Sequence, residues 1–270
     1  MTHDPQAFLR ARYRLEAAAE ELPWNQVLST LLSHRSVRSY RDAPLPPKTL
    51  ETLVAAASSA SSSSHLQPWS VVAVEDPARK ARIADLAGGQ SWILQAPLFL
   101  VWLADLSRIR RAAERHSVDP AGVEALEHLL LAVVDTALVA QNAFVALESL
   151  GLGGVFIGAV RNHPERLAAE LGLPPHVLPV VGLCVGWPDP AIATGVKPRL
   201  PQQAVLHRET YSTEVEAGAI DAYDERLRGF QQEQGMPLID WSLQAATRIN
   251  RLGTRARMAE AVRNLGFPLR

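Results

Sequence analysis

The sequence predicts a mixed α and β fold, on three observations. Helical stretches are interleaved with short apolar runs of strand length: WSVVAVED, APLFLVWLAD, GVFIGAV and VVGLCVGW. The composition is 47 % hydrophobic and 20 % charged, with a net charge of -1 over 270 residues, which excludes a disordered chain and gives no electrostatic footprint for nucleic acid. No charged linker or composition shift divides the chain between Leu28 and Trp187, so one domain is expected there.

The elements follow in order. MTHDPQAFLRARYRLEAAAEELPW has acids throughout and no apolar block of signal-peptide length, so no export signal is expected. Asp4 suits a cap and Pro5 a first turn, and Phe8, Leu15 and Leu22 recur at roughly helical spacing. After Tyr40, the prolines of APLPPKTLETLVAAASSA open a helix with Leu50, Leu53, Val54 and Ala57 on one face. It runs into SSASSSSHLQPW, residues 58–69, which by composition is a linker and by position is equally the lining of a site. WSVVAVED reads as a strand, PARKARIADLAG as a short helix closed by Gly88, and APLFLVWLAD as a buried strand.

Asp119-Pro120 reads as the cap and first turn of a helix that reaches Leu150, with Gly151 as its stop, about 30 residues and about 45 Å long. Its apolar residues cover more than one face: Leu126, Leu129, Leu130, Val133, Ala137 and Phe144, but also Leu131, Val134, Leu138 and Val145. Such a helix needs cover on most sides, from its own sheet or from a second subunit. Glu124, Glu127, Asp135, Gln141, Asn142 and Glu148 interrupt it, which argues for a core helix and against a membrane span. GVFIGAV and VVGLCVGW are two further strands around the helix PERLAAELG, and the glycines of LGLGGVFIGAV suggest close packing or a turn. From Pro198 the tail reads as polar and helical with little core of its own.

GxGxxG, the P-loop pattern and GxSxG are missing, and the eight histidines have no HExxH or CxxC partner, so no metal site is expected. The single cysteine, Cys184, lies in an apolar run and reads as a buried, inert thiol of a reducing compartment, with the cytoplasm as default. What remains is basic: HRSVR brings His34, Arg35 and Arg38 together beside Ser36, and KPRLP places Lys197 and Arg199 two apart. Guanidiniums and a hydroxyl suit a phosphate, although either motif alone also reads as a solvated charge cluster. Only Lys48, Lys80 and Lys197 of the 27 basic residues are lysines. A lysine set between prolines and arginine in such a chain suggests a use for its compact ammonium.

In order, HRSVRSYRDAPL, ASSSSHLQ, LAGGQSW, LLLAVVDTALVAQNAFVALESLGLGGVFIG, HVLPVVGLCVGWP and VKPRLP resemble the oxygen-insensitive NADPH nitroreductases and NADPH–flavin oxidoreductases, the larger group of the FMN-dependent nitroreductase superfamily. The resemblance runs from about Val27 to Leu265. It implies an α+β fold with a mixed, mainly antiparallel sheet flanked by helices and a long central helix that packs on its twin in a homodimer. It implies an FMN-binding core over 25–200 and a helical extension over 201–270 that packs on the dimer, with the helix read above as an N-terminal extension over 1–24. The implied activity is ping-pong hydride transfer from NADPH or NADH, through non-covalently bound FMN, to small nitroaromatics, quinones or free flavin, with no nucleic acid and no membrane as partner.

By the same resemblance His34, Arg35, Ser36 and Arg38, with Lys197 and Arg199, surround the phosphate, ribityl chain and ring. Ser62 and Gln90 match further ring and ribityl contacts, and Phe156, Ile157 and Gly158 lie along one ring edge. A cation facing the flavin N1–O2 edge eases its reduction, a role for Arg35 or Lys197. Hydride transfer asks no acid or base of the protein, so no catalytic side chain is expected. The substrate pocket is expected at Ser64 and His65, where His65 replaces the family's phenylalanine.

The family's arginines for the NADPH 2′-phosphate precede the Trp-Ser pair, where GFQQEQGMPLIDWS here has no basic residue between Arg228 and Trp241, and Glu233 and Asp240 are acidic. The expectation is that NADH serves at least as well as NADPH, or that both serve poorly, with Arg226, Arg228 and Arg248 as substitutes for the family's arginines. Two other readings stay open: a reductase with a changed donor or acceptor, and a flavin-binding protein without efficient turnover.

Overall fold

The computed structural model describes residues 4–14 and 22–269. Its first elements are α1 (Pro5–Tyr13), α2 (Gln26–Leu32), α3 (Thr49–Ser58), β1 (Trp69–Val74), α4 (Pro77–Leu86), α5 (Ser91–Gln95), β2 (Leu98–Asp105) and α6 (Ser107–Arg115). They are followed by α7 (Leu126–Ser149), β3 (Gly153–Ile157), α8 (Pro164–Leu171), β4 (Val177–Gly186), α9 (Glu216–Glu233), α10 (Trp241–Ile249) and α11 (Met258–Asn264).

The chain divides into two compact units, residues 36–189 with 253–270, and residues 1–35 with 190–252. The first of these holds the sheet, in the order β1-β2-β4-β3. Every pairing among the described strands is antiparallel, with Val72 opposite Val101, Leu100 opposite Leu183 and Val155 opposite Cys184. This agrees with the mainly antiparallel sheet that the resemblance implies, although unbroken apolar runs are also typical of parallel strands buried on both faces. Here both faces of an antiparallel sheet are covered, with the same effect on sequence. Phe99, Val101, Leu103, Val155 and Cys184 pack with Ile83 of α4 on one face. Leu98, Leu100, Trp102 and Leu183 pack on the other with Leu53 and Ala57 of α3 and Val139, Ala143 and Phe144 of α7. Glycine is required where the layers are tightest: a Cβ on Gly182 would sit 2.5 Å from Phe99 Cζ, and one on Gly153 would sit 2.6 Å from Val37 Cγ2.

The long helix is shorter than its sequence suggests. Asp119 caps, and Pro120 opens, a separate 3-10 turn over Pro120–Glu124, with Ala121 N–H donating to Asp119 Oδ1. Ala125 is extended (ψ 140°) and breaks the run, so α7 has 24 residues, about 36 Å. By length and composition α7 suffices to cross a membrane, but its buried face belongs to the sheet core described above. Gly151, at φ 76°, ends the helix as expected. The serine run is no linker: Ser58 and Ser59 donate back to the carbonyls of Val54 and Ala55 and finish α3. Cys184 is fully buried, and burial raises its thiol pKa far above the usual value.

The other unit holds α1, α2, α9 and α10. The N-terminal helix stops at Tyr13, because Arg14 adopts φ 53° and closes it with its N–H on Arg10 O. Leu15 lies outside the described residues, and Leu22 stands in a non-helical segment. The tail has more core than its polarity predicts: Ala219, Tyr223, Leu227 and Phe230 are buried along α9, while in the sheet unit Val262 and Phe267 join a cluster with Leu106 and Leu129.

Candidate flavin and anion site

In the unit of residues 1–35 and 190–252, the two basic motifs are tied together. Arg12 of α1, only 7 % exposed, donates from Nη1 to Lys197 O at 2.8 Å and from Nη2 to Leu32 O at 2.9 Å and His34 O at 2.8 Å. Arg199 N–H donates back to Arg12 O at 3.0 Å, and Tyr223 Oη donates to Pro198 O at 3.0 Å. His34 is half-buried, and Arg35, Lys197 and Arg199 are exposed. Arg35 Nε is held by Thr194 Oγ1 at 2.9 Å, leaving its terminal nitrogens to face an anion.

In the sheet unit, Ser36 is half-buried and Arg38 lies over the Trp92 ring, 5.9 Å from its centroid. Trp92 Nε1 donates to Gln90 Oε1, and Gln90 Nε2 donates to Ala87 O, so GGQSW and Arg38 form one packed group. Gly88 and Gly89, both at positive φ, shape the turn before Gln90. Buried Lys80 donates to Ala96 O at 2.7 Å and Leu94 O at 3.3 Å, satisfying the C-terminal end of α5, the helix that Gln90 precedes. Burial lowers the Lys80 pKa.

The serine segment has its own support. Asp135, 1 % exposed on α7, accepts from Ser62 Oγ at 2.7 Å and from Ser63 N–H at 3.2 Å. Ser62 Oγ accepts in turn from Gln67 N–H at 2.8 Å. The backbone between them is forced into the left-handed region at Ser64 (φ 50°), His65 (φ 56°) and Gln67 (φ 49°). Three non-glycine residues in that state within four positions store strain, a common feature of binding loops. Ser64 and His65 are exposed on it. On β3, Phe156 is half-buried and Ile157 buried, and Gly158 opens the turn that follows.

The donor set fits FMN. Arginine and lysine donors suit its phosphate, and the amide and hydroxyl groups suit a ring with both donors and acceptors. Ser62 is the constrained member: its one proton is committed to Asp135, so toward a ligand it can only accept.

The two acids beside the expected nucleotide loop are ion-paired. Glu233 is paired bidentately with Arg14 at 2.6 and 2.8 Å, a hydrogen bond that holds its carboxyl below the usual range, and Asp240 is paired with Arg228 at 2.6 Å. Both acids are therefore offset by a paired arginine, which weakens the argument that they repel a 2′-phosphate. A cleft of about 590 Å³ lined by Arg82, Asp85, His163, Arg166 and Glu170 contains none of the predicted residues.

Sequence reasoning missed Arg12 and did not connect Asp135 to the serines. Asp135 left a signal, a carboxylate in the middle of an apolar helix; Arg12 left none, being one arginine among several in a polar helix.

Residues 31–187 match the model of the nitroreductase family, and residues 197–270 match the model of that family's C-terminal domain. An FMN reductase [NAD(P)H] of Bacillus subtilis is 42 % identical over 84 % of this chain and 92 % of its own. An oxygen-insensitive NADPH nitroreductase of Salmonella typhimurium is 41 % identical over 77 % of this chain and 83 % of its own. Among solved structures, a hypothetical oxidoreductase of Bacillus subtilis superposes with a TM-score of 0.86 at 39 % identity, covering 91 % of this chain and 99 % of the other. An NADPH:FMN oxidoreductase of Vibrio harveyi, solved with NAD+, gives 0.80 at 31 % identity, covering 91 % and 100 %.

Proposed function

The chain belongs to the nitroreductase family, and from that premise we infer that it is an FMN-dependent oxidoreductase that takes hydride from NAD(P)H and reduces nitroaromatics or flavin. When bound, FMN supplies the two-electron relay between donor and acceptor. The chain's own residues bind and orient. In one unit the proposed contacts are His34, Arg35, Lys197 and Arg199; in the other they are Ser36, Arg38, Ser62, Gln90, Phe156, Ile157 and Gly158. The arginines and Lys197 serve the phosphate, Ser62 accepts from a ring N–H, and Arg35 or Lys197 stabilises charge at the N1–O2 edge. Ser64 and His65 border the acceptor, and quinones belong to its range.

The protein acts as a cytoplasmic homodimer in this reading. Leu126, Leu130, Val134 and Leu138 of α7 are 45, 52, 56 and 43 % exposed and recur every fourth residue. Such an apolar stripe fits a second copy of the same helix.

The observation that carries the reading is the family match over nearly all of the chain after residue 30, joined to a donor set of the right chemistry in both units. The test is the visible spectrum of the purified protein, followed anaerobically as NADPH and then NADH are added. Bleaching of a bound flavin by either nucleotide, with turnover once a nitro compound or quinone is added, is expected. Bleaching without turnover would point to a flavin-binding protein, and a colourless chain that takes up no FMN refutes the proposal.

A further inference from the structure

Helix α1 precedes residue 31, where the family match begins, so nothing in the family match assigns it a role. Its one buried charged side chain nevertheless reaches both basic motifs. The Arg12 guanidinium bonds the backbone carbonyls of Leu32 and His34 on one segment and of Lys197 on another, 185 residues away in sequence. The contact is reciprocal, since Arg199 N–H returns to the Arg12 carbonyl. Lysine could not reproduce it: three carbonyls from two segments need the planar fork of a guanidinium.

The consequence is electrostatic as well as steric. Arg12 bonds the carbonyls of Lys197 and of His34, which adjoins Arg35, and its own carbonyl accepts from Arg199 N–H, so three cations of one sign meet at it. Gathering like charges is unfavourable unless something holds them and an anion completes them. Carbonyl oxygens aimed at a buried cation supply the first condition, with Arg199 Nη1 also turned to Lys197 O at 3.2 Å. The end of α1 is itself fixed, because Arg14 is left-handed and bidentate to Glu233.

We propose that Arg12 is a positioning residue for phosphate recognition: from outside the family's matched region it locks the backbones of His34 and Lys197, so that Arg35, Lys197 and Arg199 are preorganised for the phosphate of FMN. This rests on the FMN reading above. Preorganisation is lost when Arg12 is removed, although no ligand contact is deleted.

The test uses the full chain stripped of flavin, titrated with FMN and, separately, with riboflavin, which lacks the phosphate, with flavin fluorescence as the readout. The wild type binds FMN more tightly. In Arg12→Met the ratio of FMN to riboflavin affinity falls about tenfold while riboflavin affinity holds within about twofold; in Arg12→Lys it falls about threefold. Arg10→Ala, which removes only a surface pair with Asp4, keeps the wild-type ratio. If Arg12→Met does not fold, Arg12→Lys decides by the same ratio. An unchanged ratio, or equal weakening of both flavins, means that Arg12 is merely structural and overturns the proposal. A wild-type chain that binds neither flavin overturns the FMN reading instead.

Discussion

Replacing Asp135 with alanine should both destabilise the protein and release the serine loop. Asp135 accepts two hydrogen bonds from that loop, Ser62 Oγ at 2.7 Å and Ser63 N–H at 3.2 Å, in a place with 1 % exposure. Bonds to a charged acceptor contribute about 1.5–3 kcal/mol each, giving roughly 3–6 kcal/mol for the pair. Removing a buried carboxylate returns part of this as relieved desolvation, leaving a net loss of about 2–4 kcal/mol. The loop has its own reason to move, since Ser64, His65 and Gln67 hold left-handed backbone at about 1 kcal/mol or more apiece and relax once untied. Urea unfolding at constant protein concentration measures the loss, and limited proteolysis tests whether residues 62–67 become the first cleavage site. Asp135→Asn keeps one acceptor and should lose about half as much. An Asp135→Ala protein within about 0.5 kcal/mol of wild type, with the loop still protected, refutes the reasoning.

Four further outcomes are expected. Leu130→Glu with Val134→Glu places charge in the exposed stripe of α7 and should convert a dimer to monomers in sedimentation; a persistent dimer means that its interface lies elsewhere. Gly182→Ala puts a Cβ 2.5 Å from Phe99 Cζ and 3.0 Å from Val160 Cγ1, and overpacking should cost about 1–3 kcal/mol or more, so an unchanged melting temperature contradicts the packing. His176 is buried, and desolvation, then Arg110, lowers its pKa; the unfolded chain therefore binds the proton more tightly, and stability falls as pH drops below about 6.5. His176→Asn, which tolerates the φ of 65° there, should flatten the stability curve below pH of about 6.5; an equal slope removes His176 as the cause. Neutralising both loop acids, as Glu233→Gln with Asp240→Asn, should leave the ratio of KM for NADPH to KM for NADH within about twofold, because Arg14 and Arg228 already cancel them; a tenfold shift toward NADPH would show that the pairing is ineffective.

The apolar runs and their stops were legible residue by residue. Leu53 and Ala57 face the core as the helical spacing requires, β2 is buried along its whole length, Gly151 ends α7, and Cys184 is enclosed. These features follow from periodicity and from the backbone freedom of glycine, both local. Order along the chain also revealed the family, because six short motifs in sequence carry more than any one of them. The extent of α7 was misread, since Asp119-Pro120 is equally good at opening a 3-10 turn, and only the extended backbone at Ala125 decides between the two.

What the sequence by itself determined is the set of elements, the family and the residue types offered to a phosphate and a flavin. The tertiary structure alone decided the strand order, the all-antiparallel pairing of strands whose runs look parallel, and the supports behind the site. Asp135 holds Ser62 from 73 residues away, Arg12 holds Lys197 from 185 away, and Arg14 cancels Glu233 from 219 away. Each is a polar side chain whose partner is a backbone carbonyl, a hydroxyl or an acid brought close only by folding. Hydrogen bonds act over about 3 Å of space and have no period along the chain, so no local pattern could announce them.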